Sequence, residues 1–245
     1  MSGAHHDEQA YLQTYDASSY DLPAVAVDVV ALSHFDRQLR VLLVRRDKDP
    51  FAGAWSLPGT YLHVDKDETL QDACRRCLQH KAKFPAANDV QLWQVHTRGI
   101  AERDPRERVI SVVHVAFVDA QQARFTASVA DDSVHWAAVD DVNTLAFDHV
   151  DVVDIVRREV AAHVDTVGFA LAPAPCSWSQ LRAVHESVLQ RTLDNTNFRR
   201  RFAKLEKEGV VDVQHKEEGR GTLVQVTTPL FDDAGPRPLF PVSLA

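Results

Sequence analysis

Two prolines in the run Ala170 to Cys176 (ALAPAPC) interrupt the chain where its hydrophobic pattern changes, and this break limits the possible folds more than any other feature. Proline fixes φ and lacks a backbone donor, so no helix interior or central strand passes through such a run. Upstream, the apolar residues come in Val-rich runs; downstream, they recur at helical spacing. A chain of 245 residues holds one large domain or two smaller ones. The change of pattern predicts two, over residues 1–160 and 161–230, with an irregular tail at 231–245.

In the first part, Ala24 to Leu32 (AVAVDVVAL) and Leu39 to Arg46 (LRVLLVRR) read as paired strands across the turn material SHFDRQ. Gly53, Pro58 and Gly59 punctuate a loop around Trp55 and Leu57. A helix is predicted from Glu68 to about Lys83, with Asp65 or Asp67 as its cap and Pro85 stopping it. Leu92 to His96, Arg108 to Val118 and Val134 to Val139 supply further strands, and a helix follows from about His149 to Val164.

Beyond the break, Ser177 to Gln190 (SWSQLRAVHESVLQ) reads as an amphipathic helix with Leu181, Val184, Val188 and Leu189 inward and Ser179 as N-cap. Asp194 to Glu208 is a second helix, ended by Gly209. VVDVQ and TLVQVT form a hairpin around the charged tip HKEEGRG. Helix, turn, helix and hairpin in succession is the order of a winged helix-turn-helix. The final PLFDDAGPRPLFPVSLA holds too many prolines for regular structure and reads as an arm.

The formal net charge of −8 argues against nucleic acid until its distribution is considered. Up to Pro175 there are 17 basic and 26 acidic residues; from Cys176 to Thr228 there are 9 and 7. An acidic part joined to a mildly basic one fits two domains with different partners, although so small an excess also describes a solvated face. Three cysteines give no disulfide framework and fit a reducing compartment. No run of about 18 apolar residues predicts a membrane helix. The polar N-terminus (MSGAHHDEQAYLQTYD) lacks the apolar core of a secretion signal, so the expected localisation is cytoplasmic.

On a wheel of about 100° per residue, Phe198, Phe202 and Leu205 share one narrow face of the second helix, with Arg201 flanking it. Thr196, Arg200, Ala203 and Lys207 lie roughly opposite, with Arg199 and Lys204 on the shoulders. A recognition helix needs such an apolar stripe for anchorage and an outer face of Arg, Asn and Thr to reach bases and phosphates. Asn195, Thr196 and Asn197 stand at the end that enters the major groove, and Ser179 and Gln180 begin the preceding helix. Lys216 and Arg220 at the wing tip are placed to meet the backbone or minor groove, with Glu217 and Glu218 working against them. The alternative is a solvated helix with an ordinary basic face.

The first part resembles the Nudix hydrolases. Gly53 to Gly59 (GAWSLPG) is similar to the family's G-x-W-x-L-P-G-G lead-in, with Thr60 where the second glycine stands. Ala73, Arg75, Arg76 and Leu78 fit the family's A-x-x-R-E-L-x-E-E-x-G helix. The resemblance implies an α+β chain in which a Nudix-like α/β/α sandwich with a mixed sheet precedes the winged helix. In working enzymes the helix glutamates bind magnesium, which neutralises the substrate diphosphate. Here the glutamate after the arginine is Cys77, the later two are His80 and Lys81, and the closing glycine is Lys83. A hard cation wants oxygen ligands and an ammonium repels it; Asp67, Glu68 and Asp72 do not recreate the cluster. The reading is therefore a non-enzyme with no catalytic residue and no metal. The same changes create Cys74-x-x-Cys77-x-x-His80. Two members of that set can touch one zinc ion, but no fourth ligand adjoins them, and a C-x-x-C within a helix is more often core packing.

Taken whole, the chain resembles the Nudix-related transcriptional regulators, bacterial repressors of NAD-metabolism genes. The likeness runs from about Tyr15 to Thr228 through YDASSYDLPAVAVDVVAL, LLVRRDKDPFAGAWSLPG, RDPRERVISVVHVAFV and the whole of Phe169 to Val211. It implies a homodimer on a palindromic double-stranded DNA operator. It also implies ADP-ribose as effector, with no other cofactor, bound in the former substrate pocket and releasing the DNA. Cations in place of the metal would hold the diphosphate: Arg46, Arg103, Arg106 and Arg108 offer bidentate contacts. The alternative for them is salt bridging with Glu102, Asp104 and Glu107. Phe51 or Trp55 offers a stacking face for a base or packs beside the loop. Thr60, where backbone normally approaches phosphate, leaves the effector's identity open among nucleotide-type ligands, and some relatives sense sugars. The rival reading is a hydrolase of ADP-ribose or a similar nucleoside diphosphate derivative with an accessory domain.

Overall fold

A strand covered on both faces carries continuous apolar residues, and β1 (Ala24–Phe35) is such a strand, buried almost throughout. The computed structural model describes residues 8–66, 68–84, 87–129, 131–215, 222–232 and 235–239. A short helix, α1 (Glu8–Thr14), precedes β1 and buries no residue. A two-residue turn at Asp36 and Arg37, both at positive φ, returns the chain into β2 (Gln38–Arg45), antiparallel to β1. Positive φ at both central residues matches the right-handed twist of a hairpin.

The edge of β1 that carries β2 is forked. Leu32 to Phe35 pair with β2, whereas Ala26 to Asp28 pair with β4 (Gly59–Tyr61). Between them the N–H of Val29 donates to the carbonyl of Pro58 at 2.8 Å. β2 turns instead to β3 (Trp55–Ser56) and, along its other length, to β7 (Val134–Ala138). The other edge of β1 runs parallel to β6 (Val109–Phe117), which pairs antiparallel with β5 (Gln91–Arg98). The sheet is therefore mixed.

Alternation assigns the two faces. Val27, Val29 and Ala31 meet α2 (Leu70–Lys81) and α3 (Ala120–Val129) in one core. Val30 and Leu32 meet α4 (His149–Ala162) and α5 (Val164–Leu171) in the other. This is the expected α/β/α sandwich. The second core continues without interruption into α6 (Trp178–Leu189) and α7 (Asn195–Lys207).

Beyond the sandwich, α5 leads to β8 (Cys176–Ser177), then α6, α7, β9 (Val211–His215) and β10 (Thr222–Val226). The three strands pair in the order β8-β10-β9, which completes a winged helix. Phe169, Trp178, His185, Phe198 and Phe202 pack edge-on or tilted across the three helices at centroid distances of 4.9–5.9 Å.

Several local expectations need correction. Helix α2 is capped by Thr69, in a reciprocal box with Asp72, and not by Asp65, while Asp67 lies outside the described residues; the threonine hydroxyl stands one residue before the helix, where it reaches the free N–H groups. By the same geometry Ser177, paired with Gln180, caps α6 in place of Ser179. The helix predicted to run to Val164 ends at Ala162, and α5 takes Ala170 and Leu171 from the supposed connection. The tail read as an irregular arm forms a small hairpin, β11 (Phe231–Asp232) with β12 (Gly235–Pro236). Gly235 allows that hairpin to lie on Trp93, whose Nε1 would be 2.6 Å from an added Cβ. Among the described residues no helix is long and apolar enough to cross a membrane.

Candidate functional site

The fork in β1 creates a notch crossed by Leu57, Pro58 and Gly59. A Cβ on Gly59 would fall 2.4 Å from Asp28 Oδ1, so only glycine lets the main chain rest on that carboxylate. Asp28 is an acid in the middle of an apolar strand, and three groups account for it. Arg103 Nη2 donates to it at 2.7 Å and Ser111 Oγ at 2.6 Å. His149 Nε2 lies 3.5 Å away. Burial alone would raise this carboxyl; the imidazole, guanidinium and hydroxyl facing it reverse that and hold it well below the usual carboxylate range. Arg103 also binds Asp148 at 3.0 Å, and Asp148 receives Arg98 at 2.9 Å.

Above this buried network the rim of the notch collects cations and aromatic rings. Arg46 donates to the carbonyls of Pro50 at 2.7 Å and Lys48 at 3.2 Å, and its guanidinium lies 4.6 Å from the Phe147 ring. Phe51, exposed and at positive φ, meets Phe147 edge-on at 4.9 Å. Arg106 grips Asp104 with two bonds of 2.9 and 2.7 Å and stands 5.6 Å from the Tyr61 ring. Partial burial, and then the charge of Arg106, lower the proton affinity of Arg46, so two cations share one side of the notch. Thr60 Oγ1 accepts from Arg76 at 3.1 Å. Arg76 in turn clamps Glu68, whose carboxyl is drawn down to about 2 chiefly by that hydrogen bond.

Of the six proposed ligand residues, the fold thus gathers Arg46, Phe51, Thr60 and Arg106 around the notch. Arg103 lies beneath it in buried ion pairs, and Arg108 is exposed at the start of β6. Asp28, Tyr61, Phe147 and His149 escaped the reading of the sequence. The signal for Asp28 was present: a lone acid within VAVDVVAL has to find partners.

The residues of α2 do not fit the magnesium site of the hydrolases. Cys77 is buried, with its thiol pushed up to about 12 by that burial. His80 is exposed, and Lys81 Nζ donates to the carbonyl of Gly59. Zinc fares no better: Cys74 and Cys77 are buried while His80 is exposed, and no cluster of three metal-binding side chains occurs among the described residues.

On the winged helix, Phe198, Phe202 and Leu205 are buried as the wheel requires, and Arg201 pairs with Asp165. Asn195, Thr196, Asn197, Arg199, Arg200 and Lys204 form an exposed outer face. Arg200 Nη2 donates to Asn197 Oδ1 at 2.7 Å, and the Arg199 guanidinium lies 5.9 Å from the Trp178 ring. Ser179 and Gln180 are exposed on the first turn of α6, where the Gln180 amide oxygen accepts from the Ser177 N–H. Lys216 and Arg220 lie outside the described residues.

Known proteins share this arrangement. The NUDIX domain family matches residues 22–157. The ADPR responsive transcriptional repressor NtrR of Acinetobacter baylyi is 28% identical over 209 residues, covering 84% of this chain and 81% of its own. The crystal structure of Shewanella oneidensis NrtR complexed with a 27mer DNA superposes with a TM-score of 0.69 at 30% identity, over 82% of this chain and 92% of that one. The NUDIX domain of the same protein, in a cocrystal with ADP ribose, gives 0.53 at 32% identity, over 62% and 98%. The sandwich, the altered α2 and the attached winged helix together place this chain in the NUDIX family, among the Nudix-related transcriptional regulators.

Proposed function

We propose that the chain is a DNA-binding transcriptional repressor whose Nudix domain binds ADP-ribose as an effector and catalyses no hydrolysis. The observation that carries this reading is the outer face of α7, where Asn195, Thr196, Asn197, Arg199, Arg200 and Lys204 stand exposed on a helix anchored by three buried side chains. Such a face meets base edges and phosphates, and a free-standing sensor has no need of it. Ser179, Gln180, Lys216 and Arg220 add phosphate contacts from α6 and the wing. The complexes of the Shewanella protein with DNA and with ADP ribose support both halves of the assignment.

The division of labour follows the chain, with sensing in residues 1–160, DNA binding in 161–230 and a short terminal segment beyond. Arg46 and Arg106 hold the diphosphate, Phe51 gives a face to a base, and Arg103 supports them from below. A homodimer presents two α7 helices to a palindromic operator. The absence of carboxylates at Cys77, His80 and Lys81 supports a sensor in place of a hydrolase. Fluorescence anisotropy of the full chain on DNA from upstream of its own gene, at two salt concentrations and with or without ADP-ribose, tests the proposal. Specific binding weakened by ADP-ribose is expected. Binding without a response would remove the effector, and no specific binding to any genomic fragment would remove the repressor.

A further inference from the structure

Lys81 lies on the last turn of α2, and its ammonium reaches across the notch to the carbonyl of Gly59, 22 residues earlier. That carbonyl is fixed in place. The Gly59 main chain is pressed on Asp28 below, and pairs with β1 through the register Asp28 to Gly59. A backbone carbonyl is the kind of neutral oxygen that a hard divalent ion takes as a ligand. Here a monovalent cation built into the chain has that oxygen, and its charge repels any second cation brought beside it.

The other cations around the notch are mostly committed. Arg76 is held by Glu68, Arg103 by Asp28 and Asp148, and Arg106 by Asp104. Among the described residues no carboxylate is paired with Lys81. Its neighbour Cys77 remains a neutral thiol, because burial outweighs the attraction of the lysine charge. Lys81 therefore carries a positive charge that no carboxylate holds among the described residues, and the carbonyl it binds is that of Gly59, next in the chain to Thr60.

We infer that Lys81 takes the place of the family's divalent ion, so that the notch binds a diphosphate ligand without metal. This rests on the effector pocket proposed above. The test is calorimetry of the full-length protein with ADP-ribose, in EDTA and in excess magnesium, for the wild type, Lys81→Met and Lys81→Arg. Manganese alone is followed in parallel by electron paramagnetic resonance. Wild-type affinity should be the same in both buffers, K81M should weaken it about tenfold or more, K81R should retain most of it, and no stoichiometric manganese should bind. Circular dichroism should show K81M folded, since the side chain is exposed. Loss of wild-type binding in EDTA, equal affinity of K81M and wild type, or one tightly bound manganese would each overturn the inference. If ADP-ribose binds neither protein, the effector reading fails by itself, and inorganic pyrophosphate in EDTA becomes the probe. Pyrophosphate binding that K81M weakens upholds the role of the lysine; equal or absent binding overturns it.

Discussion

The main-chain N–H of Leu57 donates to Nδ1 of His149 at 2.9 Å, joining two buried groups 92 residues apart. Nδ1 thus accepts, and Nε2 carries the proton that faces Asp28. One imidazole connects the lip of the notch, the central strand and the first turn of α4. Replacing it with phenylalanine strands the Leu57 N–H and removes a donor from Asp28. The cost should be about 1–3 kcal/mol, read from urea unfolding. An unchanged midpoint would take this bond out of the stability account.

Asp28 also sets an acid limb. Its carboxyl is held below the ordinary aspartate value of 3.8 in the folded chain. The stability it contributes is complete above that value and is lost as pH falls below it, because protonation then favours the unfolded chain. Unfolding free energy followed from neutral pH downward should fall below pH 3.8 more steeply for the wild type than for Asp28→Asn. Parallel acid limbs would contradict this.

Gly168 lies inside α5, where alanine normally stabilises a helix by about 1 kcal/mol. The opposite is expected here. An added Cβ would stand 2.4 Å from Cε1 of His185, a ring locked by Leu181 and by Phe198 and Phe202. Gly168→Ala should destabilise the protein by about 1–3 kcal/mol through overpacking. A higher thermal midpoint would show that the ring moves freely.

Arg200 is exposed and preset by Asn197. Arg200→Ala should weaken operator binding by about 1–3 kcal/mol while leaving the thermal midpoint unchanged. Equal affinity of variant and wild type in anisotropy titrations would remove this side chain from the interface.

The parts of the fold that were legible in the sequence are those with a sustained period. β1, β2 and β6 are long Val-rich runs, and the stripe of Phe198, Phe202 and Leu205 repeats at helical spacing. β3, β4 and β8 span two or three residues, too short for any period, and exist because neighbours offer them an edge. α3 (AQQARFTASV) has a weak apolar face and no side-chain pattern that sets it apart from a loop. The boundary between α4 and α5 falls at His163, where neither proline nor glycine marks a break. For the site, residue type suggested arginines, but partner choice is long-range. Arg103 has acids next to it in sequence, yet it binds Asp28 and Asp148, 75 and 45 residues distant.

The apolar core that passes from β1 through α4 and α5 into α6 and α7 leaves no tether between sensor and reader. A tethered pair communicates by reach and tolerates insertions between its halves. This chain has a lever instead. One residue added within α4 would rotate everything after it by about 100° and advance it by about 1.5 Å. The orientation of α7 relative to the sheet is thereby written into the helical phase of α4.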